Sequence, residues 1–102
     1  MLKIDEIVWQ LVASIPKGKV MTYGQIANQA GFKNYARHVG ATLKKLPMDS
    51  LLPWHRVVNA KGELSFPIGS PSYEKQKLLL ESEGIKFIGT KLSLADYRWG
   101  VN

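Results

Sequence analysis

Apolar residues recur at helical spacing from the start of the chain. Ile4, Ile7, Val8, Leu11, Val12 and Ile15 fall on one stripe, which Pro16 closes because proline cannot continue a helix. This predicts a core-facing first helix, with Trp9 off the stripe and covering an edge of the same core. Pro16-Lys17-Gly18-Lys19 reads as a turn and Val20-Met21-Thr22 as a short extended piece. Thr22 is then placed to cap a second helix, Tyr23 to Ala30, which Gly31 ends where a left-handed residue is wanted. Asn34 is the expected cap of a third helix from Tyr35 to about Leu46. Its inner face is Ala36, Val39, Leu43 and Leu46, its other side carries Arg37, Ala41, Lys44 and Lys45, and Pro47 ends it.

Beyond a loop from Met48 to Leu52, the run Arg56-Val57-Val58, Asn59-Ala60-Lys61-Gly62, Glu63-Leu64-Ser65 has the form of a small hairpin around a Gly-containing turn. Ser70-Pro71 supplies a cap followed by proline at the first helical position, opening a fourth helix that runs to Glu83 and stops at Gly84, with Ile85 following. Leu79 and Leu80 must face inward, which puts the Glu83 carboxylate on or beside the buried face, where it needs a partner. The tail from Ile85 holds only short apolar pieces. The expected fold is mainly α, one domain over residues 1–102, with a helix-turn-helix and a small β-hairpin wing in the manner of winged-helix DNA-binding domains. Pattern alone leaves an ordinary helical hairpin with solvated lysines equally open.

Composition narrows the chemistry. The 102 residues include no cysteine, which excludes disulfides, thiolate metal sites and thiol nucleophiles together. His38 and His55 are the only histidines, and without a carboxylate pattern beside them they make a poor zinc site, so neither metal nor cofactor is expected. Fourteen Lys and Arg against eight Asp and Glu give a net charge of +6, a balance that suits a polyanion. Asp5 and Glu6 stand ahead of a short periodic stretch, unlike a signal peptide, and no apolar run is long enough to span a membrane. A cytoplasmic protein with no membrane partner is the expectation.

Three ordered segments are more specific: Val20-Met21-Thr22-Tyr23-Gly24-Gln25-Ile26-Ala27, Ala36-Arg37-His38-Val39-Gly40, and Leu52-Pro53-Trp54-His55-Arg56-Val57-Val58. Together they resemble the C-terminal DNA-binding domain of the O6-alkylguanine-DNA alkyltransferases, over most of the chain from the first helix to the fourth. In that family Pro-Cys-His-Arg-Val carries the Cys that takes the alkyl group from damaged guanine, and Trp54 stands in its place here. With a length that suits the DNA-binding domain by itself, the substitution is similar to the alkyltransferase-like proteins, which bind alkylated guanine without dealkylating it.

The resemblance implies a role for each matching residue. Tyr23, a residue that without it would read as a core tyrosine, matches the tyrosine that rotates the target phosphate. Arg37 matches the arginine that fills the hole left by the flipped base, a task a planar guanidinium suits because it stacks and donates at once. The third helix would enter the minor groove, where small Ala36, Gly40 and Ala41 allow close approach. His55 and Glu83 match a hydrogen-bonded pair that activates the transferases' Cys, and Arg56 is expected to brace the turn. The implied lesion pocket is Tyr23, Trp54, His55, Glu83 and Ser70. The implied DNA-contact set is Thr22, Tyr23, Gln25, Ala36, Arg37, Gly40, Ala41, Lys44 and Lys45.

Two departures are visible. Leu46 stands where transferases carry an Asn that holds the active-site turn, and the loop from Ser65 to Pro71 does not follow their lesion-binding loop. An indole offers a flat apolar surface and one N–H donor but no nucleophile. The implied function is therefore a non-enzymatic, monomeric sensor. It would bind double-stranded DNA containing alkylated guanine and, by resemblance only, flag the lesion for nucleotide excision repair proteins. The alternatives are a winged-helix transcriptional regulator and a hydrolase built on His55 with Ser65 or Ser70. The first lacks a dimerisation element and bulky base-reading residues on the third helix, and the second lacks a Gly-x-Ser-x-Gly elbow.

Overall fold

The computed structural model describes residues 3–47 and 50–100. Helix α1 (Ile4–Ala13) buries Val8 and Val12 on the stripe read from the sequence. A two-residue strand, β1 (Met21–Thr22), leads directly into α2 (Tyr23–Gln29). The junction is fixed by a capping box: Thr22 Oγ1 accepts from the Gln25 N–H at 3.1 Å, and Gln25 Oε1 accepts from the Thr22 N–H at 3.4 Å. After Gly31, helix α3 (Ala36–Lys44) buries Val39 and Thr42. Its N-cap is Tyr35 with no side-chain bond, so the cap expected of Asn34 is not made. Asn34 instead takes φ 66°, a left-handed turn position that asparagine tolerates better than other non-glycine residues.

A short 3-10 helix (Trp54–Arg56) then delivers β2 (Val57–Val58), and α4 (Pro71–Ser82) starts on the expected Ser70 cap. The strands correct the sequence reading. Val57-Val58 does not fold back on Glu63-Leu64-Ser65; it pairs in parallel with β1, Met21 opposite Val57 and Thr22 opposite Val58. Both valines are fully buried, as befits an interior strand. Residues 59–63 form only a closed turn, in which Asn59 Oδ1 accepts from the N–H groups of Lys61 and Glu63 at 2.9 Å.

The antiparallel hairpin lies further on, in the tail that showed no clear pattern: β3 (Phe87–Ile88) with β4 (Lys91–Leu92), followed by α5 (Leu94–Tyr97). The turn and the hairpin pack so tightly that a Cβ on Gly62, at φ 78°, would run into the Leu92 carbonyl oxygen. The domain is predominantly helical with a small hairpin, consistent with a winged helix-turn-helix, but the wing is displaced along the chain from the expected hairpin.

The β1–β2 pair is the seam of the core. Met21 and Val57 pack with α1, α2 and α3, while Val20 and Val58 pack with Leu64, Tyr73, Leu80, Ile85 and Leu92 on the other side. Alternation along a strand thus serves two half-cores, and the 3-10 helix enters where they meet. Among the described residues no helix is long and apolar enough to cross a membrane, and no group of three or more His, Asp or Glu is placed to hold a metal ion.

Candidate functional site

The 3-10 helix places its three side chains in two environments. Trp54 N–H donates to the Leu52 carbonyl at 2.8 Å and Arg56 N–H to the Pro53 carbonyl at 3.0 Å, which winds the chain tightly enough to separate neighbouring side chains. His55 and Arg56 converge on Glu83 at the end of α4. His55 Nε2 lies 2.8 Å from Glu83 Oε2, and Arg56 reaches the carboxylate through Nε at 2.9 Å and Nη2 at 2.7 Å while Nη1 donates to the Ile15 carbonyl at 2.8 Å. The Gly18 N–H adds a bond at 3.2 Å, made from a turn at φ 83° that favours glycine. Only 9% of the Glu83 side chain is exposed. Burial by itself would raise its pKa, but the bonds from Arg56, His55 and Gly18 outweigh it and hold the carboxyl down at about 2. The knot ties the 3-10 helix to α4, to the Gly18 turn and to the end of α1.

Trp54 points elsewhere. With Leu43, Leu46, Pro47 and Phe66 it lines a mainly apolar cavity of about 170 Å³, whose polar members are Lys44 and Ser72. Phe66 meets the Trp54 ring edge-on, with centroids 6.3 Å apart. Leu46, the residue that departs from the transferase pattern, is part of this wall. Beside the cavity, Tyr23 Oη and Ser65 Oγ are 2.8 Å apart. Burial raises the Tyr23 pKa against the smaller opposing effect of Ser65, so the phenol stays protonated and able to donate at neutral pH. An open cleft of about 430 Å³ continues from Tyr23 along α3 past Ala36, Arg37, Gly40, Ala41 and Lys44, with Asn59 and Ser65 on its far side.

The sequence matches the family model for the DNA-binding domain of 6-O-methylguanine DNA methyltransferase over residues 3–85. The chain belongs to this family. A DNA base-flipping protein of Escherichia coli is 47% identical over 93 residues, covering 90% of this chain and 70% of the relative. Alkyltransferase-like protein 1 of Schizosaccharomyces pombe is 41% identical over 106 residues, covering 96% of this chain and 98% of that one. The crystal structure of S. pombe Atl1 in complex with damaged DNA containing O6-carboxymethylguanine superposes with a TM-score of 0.89 at 39% identity, over 99% of this chain and 100% of the other. Within the methyltransferase family the chain thus resembles the alkyltransferase-like branch, and it offers no thiol: its sequence contains no cysteine.

Against the family pattern, the residues expected in the site fall into two groups. Tyr23, Trp54, Ala36, Arg37, Gly40, Ala41 and Lys44 come together on one continuous face. His55 and Glu83 pair as expected, but behind the cavity wall, and Arg56 braces them. Thr22 and Gln25 are used within the protein. Thr22 is 7% exposed and closes the capping box, and the Gln25 amide nitrogen donates to the Trp99 carbonyl. Ser70 accepts from the Tyr73 N–H at the start of α4 and is not among the residues lining the cavity. Lys45 is exposed and is not among the residues lining the cleft, while Asp5 nearby on α1 holds Thr42 at 2.8 Å and His38 at 3.0 Å. Ser65 and Phe66, from the loop expected to wall the pocket because it occupies the place of the transferases' lesion-binding loop, line it, and Asn59 and Gln76, which sequence reasoning had no reason to select, complete the walls.

Proposed function

We propose that this protein recognises O6-alkylguanine in duplex DNA without repairing it, by flipping the damaged nucleotide through the minor groove and holding it against Trp54. The observation that carries the reading is the apolar cavity beside Trp54 at the end of a cleft lined by Tyr23 and Arg37. Extruding a base costs a few kcal/mol in lost stacking and pairing. Arg37, exposed on α3, is placed to occupy the vacated stack. Tyr23, packed against Gly40 and tied to Ser65, crowds the backbone at the mouth of the cavity. An alkyl group seated in the cavity gains about 0.8 kcal/mol per buried methylene, so the lesion is favoured over plain guanine by the group that defines it. No thiolate is present to accept that group, and the His55–Glu83 pair, which could activate one, is occupied in bracing the turn.

As an extension of the same proposal, the protein works as a monomer and marks the lesion for nucleotide excision repair proteins, a reading that rests on the family resemblance. The test of the central reading is equilibrium binding of matched duplexes carrying guanine or O6-methylguanine, at several salt concentrations, followed by mass analysis of the recovered protein. Tighter binding of the lesion with unchanged protein mass is expected. Equal affinities would remove the lesion reading, and a gain of one methyl group would remove the non-enzymatic one.

A further inference from the structure

Where α5 ends, the chain turns back along β1 on the edge that β2 leaves open. Arg98 forms a parallel bridge with Val20, whose N–H donates to the Tyr97 carbonyl at 2.9 Å and whose carbonyl accepts from the Trp99 N–H at 2.9 Å. Arg98, Trp99 and Gly100 are all exposed, so core packing does not hold this strap in place. Hydrogen bonds do, and the furthest of them comes from α2: the Gln25 side-chain nitrogen donates to the Trp99 carbonyl. Gly100 then lies against the helix. The place of a Cβ there is 3.4 Å from Gln25 Nε2 and 3.5 Å from Gln29 Nε2.

Gln25 therefore works with both ends of its amide. Its Oε1 accepts from the Thr22 N–H at 3.4 Å, the reciprocal half of the capping box on the residue before Tyr23. Its nitrogen is held by the strap, and because oxygen and nitrogen share one planar group, fixing the nitrogen also aims the oxygen. On the other side of the helix start, the place of a Gly40 Cβ is 3.7 Å from Tyr23 Cε1, and the Tyr23 hydroxyl meets Ser65. The strap thus bears on the start of α2 from outside while α3 and Ser65 receive the tyrosine within. We infer that residues 97–100, acting through Gln25, are a positioning element for Tyr23, holding its ring where it crowds the backbone of the target nucleotide. The inference rests on the lesion-binding reading above and adds to it: a segment beyond residue 85, where the family match ends, sets the side chain that drives extrusion. The strap acts through Tyr23 and not by touching the DNA itself.

Two variants separate the strap from the cap. Gln25→Glu keeps an oxygen for the Thr22 N–H and replaces the amide donor by a carboxylate that the Trp99 carbonyl repels. A chain ending at Tyr97 removes the strap and leaves Gln25 intact. Each is compared with wild type in its Kd for matched duplexes carrying guanine or O6-methylguanine. The quantity read is the ratio of the two, in which a general change of charge against DNA cancels. The preference for the lesion should fall about tenfold in either variant. The nuclear Overhauser contact between the Tyr23 ring and the Gly40 α-protons, followed in the free proteins, should weaken with it. An unchanged ratio overturns the inference and leaves lesion binding standing. So does a ratio that falls while the Tyr23–Gly40 contact keeps its wild-type strength, because the strap then acts by another route. Should the shortened chain fail to fold, Gln25→Glu, which retains the cap, decides by the same two readings. A wild type that does not prefer O6-methylguanine to guanine removes the lesion reading and this inference with it.

Discussion

The two sides of the 3-10 helix differ in how completely their polar and apolar groups are satisfied. On one side the Glu83 carboxylate meets His55, Arg56 and the Gly18 N–H, and the Arg56 guanidinium continues to the Ile15 carbonyl. On the other, Trp54 and Phe66 border an apolar cavity, and Gln76 keeps a buried oxygen with no donor among the described residues. A satisfied network rigidifies the chain, while a concave apolar surface is what a ligand can exploit. The difference teaches that residues matching a transferase's activating pair are held in a structural network here, while the recognition proposed above falls to the neighbouring side chain.

The comparison breaks most completely at Glu83. Glu83→Ala leaves Arg56 and His55 partly buried without their anion and should cost about 3–5 kcal/mol of folding free energy, read as a lower midpoint in urea or thermal unfolding. Lesion binding should weaken with it, because the turn carrying Trp54 loses its anchor. Acid titration probes the same knot in the wild type. The folded-state pKa of Glu83, at about 2, lies below its ordinary 4.5, so its contribution is fully present above pH 4.5 and is lost as the pH falls toward 2. That loss is on the order of 3 kcal/mol, and Glu83→Gln should flatten this part of the stability curve.

On the other side, Trp54→Ala should leave the fold standing and cost about 2 kcal/mol of binding, confined to the lesion duplex. Stability measured beside affinity separates this from a packing defect. Arg37→Ala should weaken binding to damaged and undamaged duplexes alike and reduce the slope of log K against log salt by about 0.9 if its contact is to a phosphate. A loss restricted to the lesion duplex would instead assign Arg37 to the flipped state alone.

How much of this was legible in the sequence depends on the distance over which each feature is encoded. The four main helices followed from local spacing and capping, and Thr22, Gly31, Ser70 and Gly84 stand at the expected helix ends. The strands did not follow, because Val57-Val58 finds its partner at Met21-Thr22, far away in the chain, and nothing local distinguishes that pairing from a hairpin with Glu63-Leu64-Ser65. Trp54 was legible because its motif is contiguous. Gln76 was not, since its partners His55 and Val57 lie on separate elements, and Ser65 was legible only through its loop, its partner Tyr23 being remote in the chain. Thr22, Gln25 and Ser70 answer to two demands that the sequence does not separate: the same groups that suit DNA contacts also suit helix ends, and in the structure they bond at helix ends.

The central claim is that Trp54 and its cavity grip the alkyl group itself. It is tested most directly by measuring Kd for duplexes carrying O6-methyl-, O6-ethyl- and O6-propylguanine with wild type and Trp54→Ala. The wild type should gain about 0.8 kcal/mol per added methylene, roughly fourfold in Kd, while the variant shows little or no gain. Equal slopes in the two proteins, or no dependence on chain length in the wild type, would contradict the account.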